Sequence, residues 1–211
     1  MAVGERNLFS EPFENKLFPV ARCPWPATWW DDPEVDAKEQ AALAVLETTL
    51  QQPTAAVILE PLLQGAGGMA MVRGSFLRQV EALVRQSGAL LIADAVLTGF
   101  GRCGDWFASK RAGIEPDLMA LSKGLTGGCL PMGVTMASEQ LYCGFISETP
   151  AHTFFHGHSF TANPLGCAAA NASLDLLEAA PAAFLNFEQR HRPHLERLQS
   201  HPRVTRVPAR A

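Results

Sequence analysis

The chain has 211 residues, 47% of them hydrophobic and 18% charged, with a formal net charge of −4. That length supports one large domain or two small ones, and the acidic balance argues against nucleic acid as the main partner. No apolar stretch approaches a membrane span, and five scattered cysteines without a C-x-x-C pair suit free thiols in a reducing cytoplasm.

The first segment, residues 1–32, is irregular: Phe9, Phe13, Phe18, Trp25, Trp29 and Trp30 are interleaved with Pro12, Pro19, Pro24 and Pro26. So many aromatic rings need the body of the domain or another subunit to pack on. Asp32-Pro33 reads as a helix start, and Leu43, Leu46 and Leu50 continue one apolar face. From residue 55 strands and helices alternate. Ala55 to Leu59 is a short apolar run, followed by a glycine loop from Gln64 to Gly68. Phe76, Leu77, Val80, Leu83 and Val84 fall at helical spacing, with Gly88 as a stop. Ala89 to Ala93 is a second strand ending in Asp94, Leu118 to Leu121 a third leading to Lys123, and Gly133 to Ala137 a fourth. Pro164 to Glu178 reads as a helix with Leu174 and Leu177 inward. The alternation predicts an α/β fold, a mostly parallel sheet with helices on both faces. Ligands of such sheets bind beyond the carboxyl ends of the strands, where Asp94 and Lys123 both fall.

Lys123 stands out among only four lysines, since Lys16, Lys38 and Lys110 sit among polar or charged neighbours. A lysine buried at a strand exit is expected to have a lowered pKa, which favours the neutral amine that attacks carbonyls. With Asp94 on the next strand the pair fits either a structural ion pair or a pyridoxal phosphate site. In the second case the lysine carries the cofactor and shuttles a proton, while the aspartate keeps the ring nitrogen protonated. Two other motifs are weaker. His152, His156 and His158 lack the clustered acids or cysteines of a metal site, and the Gln64–Gly68 loop lacks a Walker lysine and serves equally well as a turn.

The words around these residues are more specific. Leu91-Ile92-Ala93-Asp94-Ala95-Val96-Leu97-Thr98-Gly99-Phe100-Gly101-Arg102 resembles the signature of the class III aminotransferases. Pro116 to Gly128, around Lys123, and Ile58 to Pro61 with the Gln64–Gly68 loop are similar to the same family in the same order. The resemblance runs from Met1 to about residue 208. It implies the large domain of the type I fold of pyridoxal phosphate enzymes, a homodimer with both subunits at each site, and small-molecule substrates. Phe154 to Ala168, together with Leu97, resembles the branch that transfers an amino group from S-adenosylmethionine to 8-amino-7-oxononanoate. The product of that branch is 7,8-diaminononanoate, for biotin. The resemblance further implies pyridoxal 5′-phosphate on Lys123, its ring nitrogen on Asp94, and the phosphate of the partner subunit's cofactor on His158 and Ser159. Gly157 then lies beside the substrate, which Lys123 also meets.

The chain departs from the family in two respects. Ala95 replaces the glutamate that normally follows the ring-binding aspartate, which predicts a less well fixed loop around Asp94. Met1 to Arg6 resembles an internal segment, and a further strand is expected at the tail. The expectation is therefore the central part of a subunit: a cofactor-binding core over 33–180 and the start of a small C-terminal domain over 181–211. Such a piece is expected to be weak or inactive in isolation; the alternative is an inactive remnant or dimer-forming fragment of another class III ω-aminotransferase.

Overall fold

The computed structural model describes residues 2–185 and 187–205; the strand expected at the tail lies outside the described residues. In chain order the elements are α1 (Val35–Leu50), β1 (Ala56–Leu59), β2 (Leu63–Gln64), β3 (Ala70–Met71), α2 (Gly74–Ser87), β4 (Leu90–Asp94) and α3 (Ala108–Ala112). They continue with β5 (Leu118–Leu121), β6 (Val134–Ala137), α4 (Glu139–Cys143), α5 (Pro164–Ala179) and α6 (Phe187–Gln199). All four strands expected from the sequence form, each within one residue of its expected start. The β2–β3 hairpin and the helices α3, α4 and α6 are additions, too short or too polar to leave a clear apolar period.

The main sheet has the order β1-β4-β5-β6, with β1, β4 and β5 parallel and β6 antiparallel to β5. Registered pairing sets Val57 beside Leu91, and Leu59, Ala93, Met119 and Met136 in a row across the same face. On that face the core gathers in two clusters. One joins Val57, Leu59 and Leu91 to Leu43 and Leu46 of α1, Leu77, Val80 and Val84 of α2, and Ala108 and Ala112 of α3. The other joins Met119, Leu121 and Val134 to Ala170, Leu174 and Leu177 of α5. The α/β class and the mostly parallel sheet stand. Both clusters and the helices they join lie on this one face, rather than being shared between the two faces as expected; the alternate side chains Ala56, Leu90, Ile92 and Leu118 stay half-buried, and Ile58 is 37% exposed.

Local chemistry explains the helix ends. Gly88 closes α2 with φ 76°, a left-handed turn that costs glycine little. Asn163 Oδ1 accepts from the Gly166 N–H at 2.7 Å, and Pro164 opens α5. The start expected at Asp32-Pro33 is displaced, because α1 begins at Val35. Asp32 is drawn instead into its own network: its carboxylate accepts from the Glu34 N–H, Thr28 Oγ1 and Lys38 Nζ at 3.1, 3.1 and 2.9 Å. Part of the aromatic N-terminal segment packs on the body, with Trp25 donating to the Ala70 carbonyl and meeting Phe76 edge-on. Phe9 and Phe18 remain exposed.

One residue ties the central strand to its neighbours. Asp117, just before β5, donates its N–H to the Leu91 carbonyl at 2.8 Å and accepts the Leu91 N–H on Oδ2 at 2.7 Å. The same oxygen meets Arg85 of α2 at 2.6 Å. Burial pushes the Asp117 carboxyl up, but the Arg85 guanidinium and the Leu91 N–H outweigh it and hold it below the usual carboxylate range. A carboxylate depressed in the folded state stabilises above its unfolded pKa, and that stability is lost as pH falls through the folded value. Because Arg85 is partly exposed, D117N is expected to lose only about 1 kcal/mol near pH 7. Denaturant titration should show the gap to wild type closing as pH falls below the usual carboxylate range; a gap that persists there would contradict the charge pairing.

Candidate functional site

Because β1, β4 and β5 are parallel, the residues leaving them emerge at one edge: Glu60, Asp94 and Ser122-Lys123. Asp94 is half-buried and level with Ala120 of β5. Its Oδ1 accepts the Val96 N–H at 3.1 Å, and the Ala95 N–H donates to the Ala120 carbonyl at 2.9 Å. The loop doubted because of Ala95 is therefore closed by these bonds, with the Gly99 N–H on the Ala95 carbonyl at 2.9 Å. Thr98 Oγ1 is the one buried side-chain polar atom without a partner among the described residues.

Lys123 opens a 3-10 turn, Lys123–Thr126, with φ 42°. A non-glycine residue in this region carries a strain of about 1–3 kcal/mol and persists only when its surroundings fix it. Here Ser122 Oγ donates to the Met132 carbonyl and Thr126 Oγ1 to the Leu130 carbonyl, both at 2.6 Å, and Leu125 and Thr126 are buried. From the other side Ser173 of α5 donates to the Gly124 carbonyl at 3.1 Å. Gly124 must be bare, since a Cβ there would lie 2.9 Å from Phe100 Cβ. The sequence-based expectation of a buried lysine is corrected at this point. Lys123 is exposed, because β5 ends at Leu121 and the side chain leaves beyond the sheet edge.

Gly157, His158 and Ser159 lie elsewhere. They are exposed, in the loop before α5, and their hydrogen bonds are local: His158 N–H to Thr161 Oγ1, and Phe160 N–H to His158 Nδ1. The Lys123 turn meets α5 at Ser173, ten residues past its cap, or about 15 Å along the axis. The fold thus brings Asp94 and Lys123 to one edge and sets the 157–159 segment at the amino end of α5. Apolar side chains surround that segment: Phe145 stacks edge-on with Phe154, while Phe155 and Phe160 are 84% and 74% exposed. Among the described residues no three His, Cys, Asp or Glu side chains gather as metal ligands. Of the three histidines, His156 tilts against Phe154 and His158 against Phe160.

Sequence reasoning passed over Glu60 as a site residue. It follows β1 as Asp94 ends β4, and the Leu59–Ala93 register sets it abreast of Asp94. Its Oε2 accepts the Gly65 N–H at 3.0 Å, tying down the glycine loop. An acid directly after a buried apolar run was the available signal.

The sequence matches the family Aminotransferase class-III over residues 1–210. The chain belongs to the class III aminotransferases. Aminotransferases of this class depend on pyridoxal 5′-phosphate. The chain is 59% identical over 207 residues to the adenosylmethionine-8-amino-7-oxononanoate aminotransferase of Synechococcus elongatus, covering 98% of this chain and 49% of that protein. It is 44% identical to the enzyme of the same name from Geobacter sulfurreducens, over 85% of this chain and 41% of the relative. The crystal structure of the Methanocaldococcus jannaschii adenosylmethionine-8-amino-7-oxononanoate aminotransferase superposes with a TM-score of 0.78 at 28% identity. That alignment covers 96% of this chain and 46% of that one. This class III chain therefore spans about half the length of the curated relatives it matches, and its α/β sheet is part of the large domain of their type I fold.

Proposed function

We propose that this chain forms the cofactor-binding core of an enzyme that moves an amino group from S-adenosylmethionine to 8-amino-7-oxononanoate. The products of that reading include 7,8-diaminononanoate, a step of biotin biosynthesis, and the order of reaction is ping-pong. The observation that carries it is the emergence of Asp94 and Lys123 on adjacent parallel strands at one edge of the sheet. The names of the relatives at 59% and 44% identity support the substrates.

An amine and a carboxylate at neighbouring strand ends fit the two ends of a small ring that bears an aldehyde and a basic nitrogen. When bound, pyridoxal 5′-phosphate supplies an electron sink for the carbon next to the transferred nitrogen. Lys123 would hold the aldehyde carbon through Nζ and, once displaced by the donor's amino group, move the proton at the reacting carbon. Asp94 would keep the ring nitrogen protonated through its free oxygen while Oδ1 stays engaged with Val96. His158 and Ser159 would bind the phosphate across a homodimer, with Gly157 leaving room beside the substrate. The exposed Phe155, Phe160 and Leu165 around them favour that interface. We assign 33–180 to the cofactor-binding core, 1–32 to an aromatic arm and 181–211 to the start of the small domain. No helix among the described residues is long and apolar enough to cross a membrane. The exposed free thiols Cys23, Cys129 and Cys143 suit a cytoplasmic location.

The exposure of Lys123 favours a second reading, an inactive but dimer-forming piece of another class III ω-aminotransferase. Three measurements test these readings, and labelling at Lys123 separates them. Borohydride reduction of the chain with pyridoxal phosphate, followed by peptide mapping, should label Lys123; label on Lys16, Lys38 or Lys110 instead would sink the assignment. Turnover of the isolated chain with S-adenosylmethionine should fall well below about 1 per second, since an open site does not exclude water. A rate at or above that value would show the site to be complete as it stands. Sedimentation equilibrium should give a dimer that F155S/F160S weakens, whereas a monomer at all concentrations would refute the shared site.

A further inference from the structure

The loop that leaves β4 and the turn that leaves β5 meet backbone against backbone. A Cβ built on Gly124 would lie 2.9 Å from Phe100 Cβ, 3.0 Å from its Cδ2 and 3.3 Å from its Cγ, and these are its three nearest neighbours. A Cβ is placed by its own backbone, so turning the Phe100 ring cannot relieve the first of these contacts. Glycine at 124 does not answer a demand for conformational freedom. The left-handed residue of the turn is Lys123, at φ 42°, whereas Gly124 does not take a positive φ. Phe100 is itself held firmly. It is buried, with φ 57°, between Gly99, where a Cβ would lie 2.9 Å from the Ala95 carbonyl oxygen, and Gly101, where one would lie 2.7 Å from Phe184 Cγ. Its ring meets Phe107 edge-on at 5.7 Å and shares a buried cluster with Leu121 and Leu125, which flank Lys123 on either side. The loop after Asp94 therefore reaches β5 and its exit at two places: the Ala95 N–H donates to the Ala120 carbonyl at 2.9 Å, and Phe100 seats on Gly124.

We propose that Phe100 is a positioning residue: seated on the bare Cα of Gly124, it locks the Asp94 loop to the Lys123 turn and fixes the point from which the lysine side chain departs. The use of that side chain to hold an aldehyde rests on the functional reading above; the Phe100–Gly124 clasp does not. A left-handed residue other than glycine persists only when its surroundings over-determine it, and Phe100 and Lys123 are two such residues on loops in contact. The hydroxyls of Ser122, Thr126 and Ser173 tie the turn to the 130–132 loop and to α5. Phe100 supplies the contact from the Asp94 loop. With that loop fixed to β5 at one end and to the Lys123 turn at the other, backbone movement cannot carry the amine away from the carboxylate. The rotatable bonds of the lysine stem remain free, and a bound aldehyde would fix those. Simple core filling makes a different demand. Any apolar residue of the right bulk would then serve at 100, and a methyl group at 124 would cost as much beside glycine as beside alanine.

The test is amide hydrogen exchange on the full 211-residue chain without cofactor, with G124A added to four backgrounds: wild type, F100L, F100A and F100G. The reporters are Leu125 and Gly127, whose N–H groups close the turn on the Ser122 and Gly124 carbonyls, each at 3.0 Å. G124A should speed both amides about tenfold in wild type, F100L and F100A, which all keep a Cβ at 100. In F100G it should change them less than about twofold, because the three atoms that the new methyl would meet are gone. Should F100G not fold, the wild-type, F100L and F100A backgrounds decide alone, since relief of G124A by F100A would place the contact in the ring and overturn the clasp. In parallel, borohydride labelling of Lys123 with pyridoxal phosphate should fall about fivefold in G124A and in F100G. It should stay within about twofold of wild type in F100L, and in V84A, which loosens the other core cluster. An equal cost of G124A in F100G and F100A, or labelling that falls in V84A as far as in G124A, would overturn the proposal. Absence of label on wild-type Lys123, with the exchange pattern intact, would remove the functional reading and leave the Phe100–Gly124 clasp standing.

Discussion

The parallel alignment of β4 between β1 and β5 is the constraint on which the rest of the chain depends. It is fixed at the amino ends of the strands by Asp117, which returns both hydrogen bonds of Leu91 and holds Arg85 of α2. Leu91 is fully buried, so neither its N–H nor its carbonyl could be left unmet without a cost of about 1–3 kcal/mol. With that end locked, the opposite edge can afford short, polar exits. Glu60, Asp94 and Lys123 all leave there, at heights set by register.

Structure is spent differently on the two halves of the edge. The Lys123 side is held by hydroxyls, with Ser122, Thr126 and Ser173 each on a backbone carbonyl. The Asp94 side is held by backbone bonds and by the fit of Phe100 against Gly124. Rigid turns around an exposed lysine make chemical sense in a chain that spans about half the length of its class III relatives. The geometry of the Lys123 turn is built locally. Exposed apolar side chains from Phe145 to Leu165 flank the loop that bears Gly157, His158 and Ser159.

Much of this was legible in the residues. Buried parallel strands announce themselves as short apolar runs, so Ala56–Leu59, Leu90–Asp94 and Leu118–Leu121 could be read directly. The α2 helix showed its period and its glycine stop, and Asp94 and Lys123 stood out as charged residues ending apolar strands. The short helices α3 and α4 and the two-residue strands of the β2–β3 hairpin were not legible, because they are too short to carry a period and lack the continuous apolar run of a buried strand. The helix start expected at Asp32 falls at Val35, although Asp32 Oδ1 accepts the Glu34 N–H while Oδ2 takes Thr28 and Lys38.

The sequence by itself determined the family, the α/β class and the identity of the two groups at the strand ends, because each is written in local patterns of residue type. Tertiary structure alone decided that Lys123 is exposed, that Glu60 lies abreast of Asp94, and that Phe100 closes on Gly124. Those facts depend on which strand lies beside which and at what register, and no local pattern carries that information.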